Sequence, residues 1–323
     1  MTFHKMSEIN KKWYADIGGK ALAVILAFAA VFIMVFCQFA VYLGVALCGF
    51  DTDLYDGVTT TLYSIVSIAA ITAFIRILSY KREPLLKKEK LNATQIIFTI
   101  VVAFGLMGLV NLFFLGLAAV TELFPDTVGT EVDKYAESVD RYAEYEAVAI
   151  PNWDHILEFI GVAFLVPMAE ELTFRGAVLG SLLRKFRPAA AVIISAVIFG
   201  ILHGISIHIV YALLCGIVLG WVYFYTESIW ASYMLHALFN LMGSALATFL
   251  DSGIFGDIST VADNIAAISF FAEMISILPA LASFVFLRMI YKTKQQEREE
   301  AAALKESSTN IDEDESADIT CDE

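Results

Sequence analysis

The feature that most constrains this chain is a series of long apolar stretches separated by short polar segments. A helix needs about 20 apolar residues to cross the hydrocarbon core of a bilayer, and eight stretches approach or exceed that length. They cover residues 21–49, 58–79, 94–123, 155–186, 189–204, 207–226, 229–250 and 268–291. Hydrophobic residues make up 59% of the 323 positions, against about 45–50% in soluble domains. The pattern predicts an all-α integral membrane protein with about eight transmembrane helices.

The basic residues predict how these spans are oriented. If the N-terminus is cytoplasmic, nearly all of the 21 Lys and Arg residues fall on the cytoplasmic side. Only Lys134 and Arg141 then lie outside, and Arg175 lies within a span. Cytoplasmic segments of membrane proteins carry such an excess of basic residues. We therefore expect a multi-pass protein of the plasma membrane with both termini in the cytoplasm.

The net charge of -14 comes mainly from two acidic segments, residues 122–154 and 293–323. The chain has no basic surface for a polyanion, which excludes nucleic acid as a partner. In the first segment, apolar residues from Val132 to Tyr142 recur at spacings typical of a helix. The tail from Gln295 has too little apolar content to fold alone and is predicted to be disordered.

The four cysteines form no CxxC pair, so neither a disulfide framework nor a cysteine metal site is indicated.

These observations divide the chain into six parts. They are a cytoplasmic N-terminal segment (1–20), three N-terminal transmembrane helices (21–123), an acidic extracytoplasmic segment (124–154), a helical core that holds the candidate site (155–250), an outer loop with the last transmembrane helix (251–291), and an acidic disordered cytoplasmic tail (292–323).

Polar residues inside the apolar helices are the functional signal. An ionisable group near the bilayer centre costs about 2.5–3.5 kcal/mol, so each one is a candidate site residue. In the segment PMAEELTFRG, Glu170 and Glu171 are adjacent and point about 100° apart on a helix. Glu171 and Arg175 have the spacing of a helical ion pair. We infer that this pair is architectural and that Glu170 is the reactive carboxylate.

Two further segments carry histidines at helical spacing. Phe199 and His203 lie four apart in FGILHG, and His236 and Asn240 lie four apart in SYMLHALFNLMGS. Each pair is expected to share one helix face. Such side chains also hold membrane helices together through hydrogen bonds worth about 1 kcal/mol each. Helix packing therefore stays an alternative to chemistry for both histidines and for Asn240.

The depth of these groups is not consistent. Glu170 lies about 25 Å along its helix from Arg187, whereas His236 lies only about 12 Å from Ser228. Either the turn between the sixth and seventh spans lies deep in the membrane, or the long fourth span projects into the cytoplasm.

The side chains fit two kinds of hydrolytic chemistry. A desolvated carboxylate and an imidazole can activate a water, while an imidazole and a carboxamide stabilise the resulting oxyanion. Glu170, His203, His236 and Asn240 supply this set without a cofactor, and this arrangement is favoured. In the alternative, Glu170, His203 and His236 bind a divalent metal such as zinc, although no HExxH motif is present.

The sequences EELTFRG, FGILH and HALFN resemble the EExxxR, FxxxH and HxxxN motifs of the CPBP or Abi family. These intramembrane proteases are related to the type II CAAX prenyl endopeptidase. The resemblance covers roughly residues 155–250. It implies that Glu170 and His203 activate water, that His236 and Asn240 form an oxyanion hole, and that Glu171, Arg175 and Phe199 support the site. It also implies a membrane-associated peptide or protein as the substrate, cleaved within the lipid bilayer.

Two other classes of function remain open. A non-catalytic immunity or interaction protein could retain the same fold. A proton-coupled carrier could use Glu170 and the two histidines as a relay, and it predicts polar groups along a whole transmembrane path.

Overall fold

The computed structural model describes residues 3–52, 54–130, 132–134, 150–204, 206–256 and 258–319. Within these ranges the secondary structure is helical, and no strand longer than a single bridge is formed. The helices are α1 (Phe3–Leu47), α2 (Asp56–Ser79), α3 (Ala93–Leu123), α4 (152–183), α5 (Pro188–Ile201), α6 (Ser206–Thr226), α7 (Ile229–Asp251) and α8 (Ser259–Ile319). The predicted all-α membrane class is confirmed.

Most of the helices are suited to a bilayer by length and surface. Six are long and apolar enough to cross it, and α5 is apolar but shorter. Large side chains such as Phe32, Ile275 and Leu278 are about 70% exposed, which suits lipid contact because water would penalise such apolar surface. The α4 rod is not among the six; unlike them it carries several charged residues near its centre, among them Glu170, Glu171 and Arg175. The count of eight spans and the orientation of the termini stay predictions.

The α4 rod lies at the centre of the bundle. It contacts α1, α2, α5, α6 and α7, while α3 packs mainly against α8. Two of its segments are π-helical, Gly161–Leu165 and Leu172–Leu179, and they flank the α-helical turn Val166–Glu171. Wider helical turns of this kind often occur at functional sites. The glutamates of the first motif therefore lie between two changes of helix type.

The start of α4 also fixes the start of α2. Both carboxylate oxygens of Asp154 accept backbone hydrogen bonds, from Gly57 at 2.9 Å and from Val58 at 3.0 Å. A carboxylate is stabilised at a helix N-terminus because the peptide dipoles point their positive ends there. A Cβ on Gly57 would lie 2.0 Å from the Asp154 carbonyl oxygen. Only glycine allows this approach.

The α2–α3 loop explains why the sequence placed Glu170 and His236 at different depths. The Leu85 carbonyl oxygen lies 3.4 Å from the Tyr223 hydroxyl on α6 and would lie 2.6 Å from a Cβ on Gly180. The turn between α6 and α7 is thus level with Gly180, and α4 continues beyond it. Glu171 lies nine residues from Gly180 along α4 and His236 lies eight residues from Ser228 along α7, which brings the two side chains to a similar depth.

A buried carboxylate stabilises this turn. Glu227, at a positive φ of 51°, forms ion pairs with Lys87 at 2.9 Å, Lys294 at 3.3 Å and Arg298 at 2.8 Å. Burial opposes ionisation, but the hydrogen bond from Lys87 and the surrounding positive charges lower the pKa of Glu227 overall. The cluster joins the α2–α3 loop and the α6–α7 turn to α8.

The structure tests the predicted disorder of the tail but not most of the predicted outer helix. The backbone of α8 is helical as far as Ile319, so the disordered tail predicted from Gln295 is wrong over that range. Its Glu, Ala, Gln and Lys residues are strong helix formers that continue an existing helix. Of the predicted outer helix, residues 135–149 lie outside the described residues. The domain boundaries stay predictions.

Candidate active site

The pair of Glu171 and Arg175 is the most buried part of the site. Arg175 Nη1 lies 2.8 Å from Glu171 Oε1, and both side chains are almost fully buried. The guanidinium also donates to the Gly216 carbonyl of α6 at 3.3 Å and lies 5.1 Å from the Phe199 ring of α5. Arg175 therefore holds α4, α5 and α6 together, which is the supporting position that the spacing predicts.

The two adjacent glutamates contact one histidine. His236 Nδ1 lies 2.9 Å from Glu171 Oε1, and its Nε2 lies 3.5 Å from Glu170 Oε2. The sequence argument that side chains 100° apart serve separate purposes is therefore incomplete. The two nitrogens of an imidazole are on different edges of the ring, so one histidine reaches two diverging carboxylates.

His203 lies just beyond the end of its helix. The α5 helix ends at Ile201, so the prediction that Phe199 and His203 share one helix face is wrong in detail. Gly204, with a φ of 76°, allows the chain to turn there. The spacing of four still has a consequence, since His203 Nδ1 lies 2.8 Å from the Phe199 carbonyl oxygen.

These contacts define what each imidazole presents to the site. A carbonyl or carboxylate oxygen only accepts, so the Nδ1 of both His203 and His236 is the protonated nitrogen. In the neutral ring the Nε2 then carries a lone pair. The Phe199 ring lies between the two histidines, with its centroid 4.5 Å from that of His203 and 5.9 Å from that of His236.

Asn240 has a contact that suits the packing alternative. Its Nδ2 donates to the Val162 carbonyl of α4 at 3.1 Å, within the first π-helical segment. One N–H of this carboxamide thereby links α7 to α4. The second N–H and the oxygen have no hydrogen-bond partner among the described residues. Asn240 can therefore hold α7 against α4 with one N–H and still offer the other N–H to a substrate.

A large cavity adjoins the motifs. It is partly open, measures about 770 Å³ and lies between α3, α5, α6, α7 and α8, and its walls include Phe199, His203, His236 and Asn240. Ligand sites typically measure about 300–1,000 Å³. Glu170 is not among the lining residues and is a fifth exposed. It approaches the cavity through its contact with His236.

The cavity also contains a carboxylate outside the three motifs. Glu273 of α8 lines it together with Asn111 of α3. The argument from buried ionisable groups, applied to the predicted span 268–291, indicates Glu273 as well. No motif contains it, so its place beside the site is visible only in the fold.

The fold is that of a multi-pass membrane protein, and its helices carry the three motifs at polar positions within apolar segments. Residues 152–242 match the model of the family described as "Type II CAAX prenyl endopeptidase Rce1-like". This part of the chain contains all three motifs. The predicted family resemblance is confirmed.

Two curated relatives also match part of the chain. The Lactococcus lactis subsp. lactis (strain IL1403) protein named "UPF0177 protein YxdF" is 32% identical over 92 residues, 28% of this chain and 50% of the relative. The Bacillus subtilis (strain 168) protein named "Putative membrane peptidase YdiL" is 28% identical over 119 residues, 36% of this chain and 49% of the relative. The chain thus spans about half the length of these relatives. No solved structure gives a significant match.

Proposed function

We propose that this chain is an intramembrane endopeptidase that hydrolyses a peptide bond in a membrane-associated peptide or protein. The observation that carries the proposal is the contact of Glu170 with His236 Nε2 at 3.5 Å, beside a cavity that His203 and Asn240 also line. Three separate segments of the chain thereby supply one site. One relative is named "Putative membrane peptidase YdiL", and the matched family model is that of a type II CAAX prenyl endopeptidase.

In the proposed mechanism Glu170 takes a proton from a water that His203 Nε2 helps to position. The hydroxide formed attacks the peptide carbonyl, and the proton on Glu170 is available for the leaving amine. The free N–H of Asn240 donates to the oxyanion. His236 donates there only as an imidazolium, because its Nδ1 proton is committed to Glu171.

A change in the cell's membrane peptides tests this function directly. Cells that produce the native chain should lack intact forms of the substrate that accumulate in cells producing Glu170→Gln. Quantitative mass spectrometry of membrane peptides makes the comparison. The exposed Glu122, changed to Gln, is the matched control and should give the native pattern. Identical peptides in all three strains would contradict the proposal and favour a non-catalytic immunity or interaction role.

A metal is not part of the proposed mechanism. The alternative ligands are Glu170, His203 and His236, but among the described residues no three His, Cys, Asp or Glu side chains gather closely enough to hold an ion. The proposed mechanism therefore assigns no metal to these three side chains.

Removal of metal distinguishes the proposed metal-free mechanism from the alternative in which Glu170, His203 and His236 bind zinc. Purified protein dialysed against a chelator should retain its peptidase activity within about twofold and contain zinc well below one equivalent, since Glu170 itself removes the proton. Activity and zinc content are measured on the same sample. Loss of activity that one equivalent of Zn²⁺ restores would contradict the proposal.

One observation favours a carrier as the second candidate. Asn111 and Glu273 extend the polar lining of the cavity beyond the three motifs, as a proton path requires. The peptide comparison above discriminates between the candidates. A carrier leaves membrane peptides unchanged, whereas Glu170→Gln would abolish proton-driven uptake in vesicles.

A further inference from the structure

The cavity contains a second polar site, formed by Asn111 and Glu273. Asn111 Nδ2 donates to Glu273 Oε2 at 2.7 Å, across the interface of α3 and α8. Gly108 makes this contact possible, because a Cβ there would lie 2.4 Å from the Glu273 carbonyl oxygen. Asn111 is about one turn further along α3 and therefore faces the Glu273 side chain. The close helix packing fixes the carboxylate in position.

The charge of Glu273 is not balanced by a protein cation. The residue is only 6% exposed, and no Lys or Arg of the described residues lies within ion-pair distance of it. Asn111 satisfies one carboxylate oxygen with a neutral donor, and the other oxygen has no partner in the described part of the chain. An ionised carboxylate in an apolar bundle is costly, so Glu273 either takes up a proton or is neutralised by a cation. A positively charged group on a ligand in the cavity would supply that cation.

The cavity wall has the matching charge distribution. Its other acidic residues are Asp251 and Asp263, and the described lining contains no Lys or Arg. The remainder is mostly apolar, including Leu106, Phe114 and Phe270. An apolar chain with one positive group would satisfy both features. Asn111 and Glu273 also lie outside residues 152–242, so the rest of the chain contributes this site to the protease domain.

We propose that Glu273, positioned by Asn111, binds an ammonium or guanidinium group of the peptide that occupies the cavity. This inference rests on the proposed function, because it assigns a substrate preference to the same site. The cation would come from a lysine or arginine side chain or from a free N-terminal amine. Glu273 would act in binding, and the hydrolytic chemistry would remain with the three motifs.

Binding of three fluorescent apolar octapeptides tests the proposal. They are identical except that one is blocked and neutral, one is blocked with a single internal lysine, and one has a free N-terminus. Full-length Glu170→Gln protein in nanodiscs of zwitterionic lipid is used, so that no peptide is cleaved. A charge-assisted hydrogen bond should make a cationic peptide bind about 10- to 100-fold more tightly than the neutral one.

Substitution of the carboxylate locates this preference. When Glu273→Gln is introduced into the Glu170→Gln protein, the affinities for the three peptides should lie within about twofold of each other. The exposed Glu299, changed to Gln on the same helix, is the matched control and should keep the full preference. The peptide that responds, lysine or free amine, identifies the source of the cation. Equal binding of all three peptides before substitution, or a preference that survives Glu273→Gln, would overturn the proposal.

A charge-retaining variant tests the same site if Glu273→Gln fails to fold. If Glu273→Gln does not accumulate, Glu273→Asp retains the charge and should keep a weaker preference, and a folded Asp variant without any preference overturns the proposal. The measurement needs no turnover. A preference for cationic peptides in a chain that leaves membrane peptides unchanged would refute the protease while supporting this site.

Discussion

Glu170→Gln is expected to abolish peptide cleavage while the protein still inserts and accumulates at the native level. The change removes the base but hardly alters side-chain volume, and Glu170 forms no ion pair with a described Lys or Arg. General bases typically contribute about 10²–10⁴-fold, so kcat should fall by at least that factor. The measurement is turnover of a peptide identified in the membrane comparison, together with the melting temperature of the purified variant.

The adjacent glutamate provides the matched control. Glu171→Gln leaves Arg175 buried without its carboxylate and replaces the charged acceptor of His236 Nδ1 by a neutral amide oxygen. Loss of one partner of a buried ion pair typically costs roughly 3–5 kcal/mol. This variant should therefore melt at a clearly lower temperature, whereas Glu170→Gln should not. A stable but inactive Glu171→Gln beside an active Glu170→Gln would reverse the two assignments.

Asn240→Ala is expected to lower kcat by about 10²–10³ with little change in KM, because an oxyanion donor acts mainly in the transition state. The hydrogen bond to the Val162 carbonyl is lost as well, which should cost only about 1 kcal/mol of stability. Steady-state kinetics and melting temperature separate the two effects. The exposed Asn264, changed to Ala, should alter neither quantity.

A double variant tests whether His236 and Asn240 act together. If both donate to one oxyanion, His236→Ala combined with Asn240→Ala should lose less activity than the product of the two single losses. Losses that multiply fully would remove at least one residue from the oxyanion site. A lowered melting temperature with native kcat in Asn240→Ala would leave only the packing role.

Local spacing was sufficient for one pair of the site. The pairing of Glu171 with Arg175 follows from a separation of four residues, because neighbours on one helix face meet whatever the rest of the fold does. The apolar runs likewise indicated the helices, since backbone groups in lipid must be satisfied within a helix. The roles of Glu170, His203, His236 and Asn240 stay predictions.

Hydropathy and helical spacing by themselves determined the membrane class, the approximate helices and the polar residues that stand within them. Only the tertiary structure decided which groups meet between helices. The contact of Glu170 with His236, the offset of the α6–α7 turn along α4, and the pairing of Asn111 with Glu273 across 162 positions all depend on it. The physical reason is that periodicity reports the face of one helix, whereas changes of helix type and glycine-mediated packing set the rotation and depth of its neighbours.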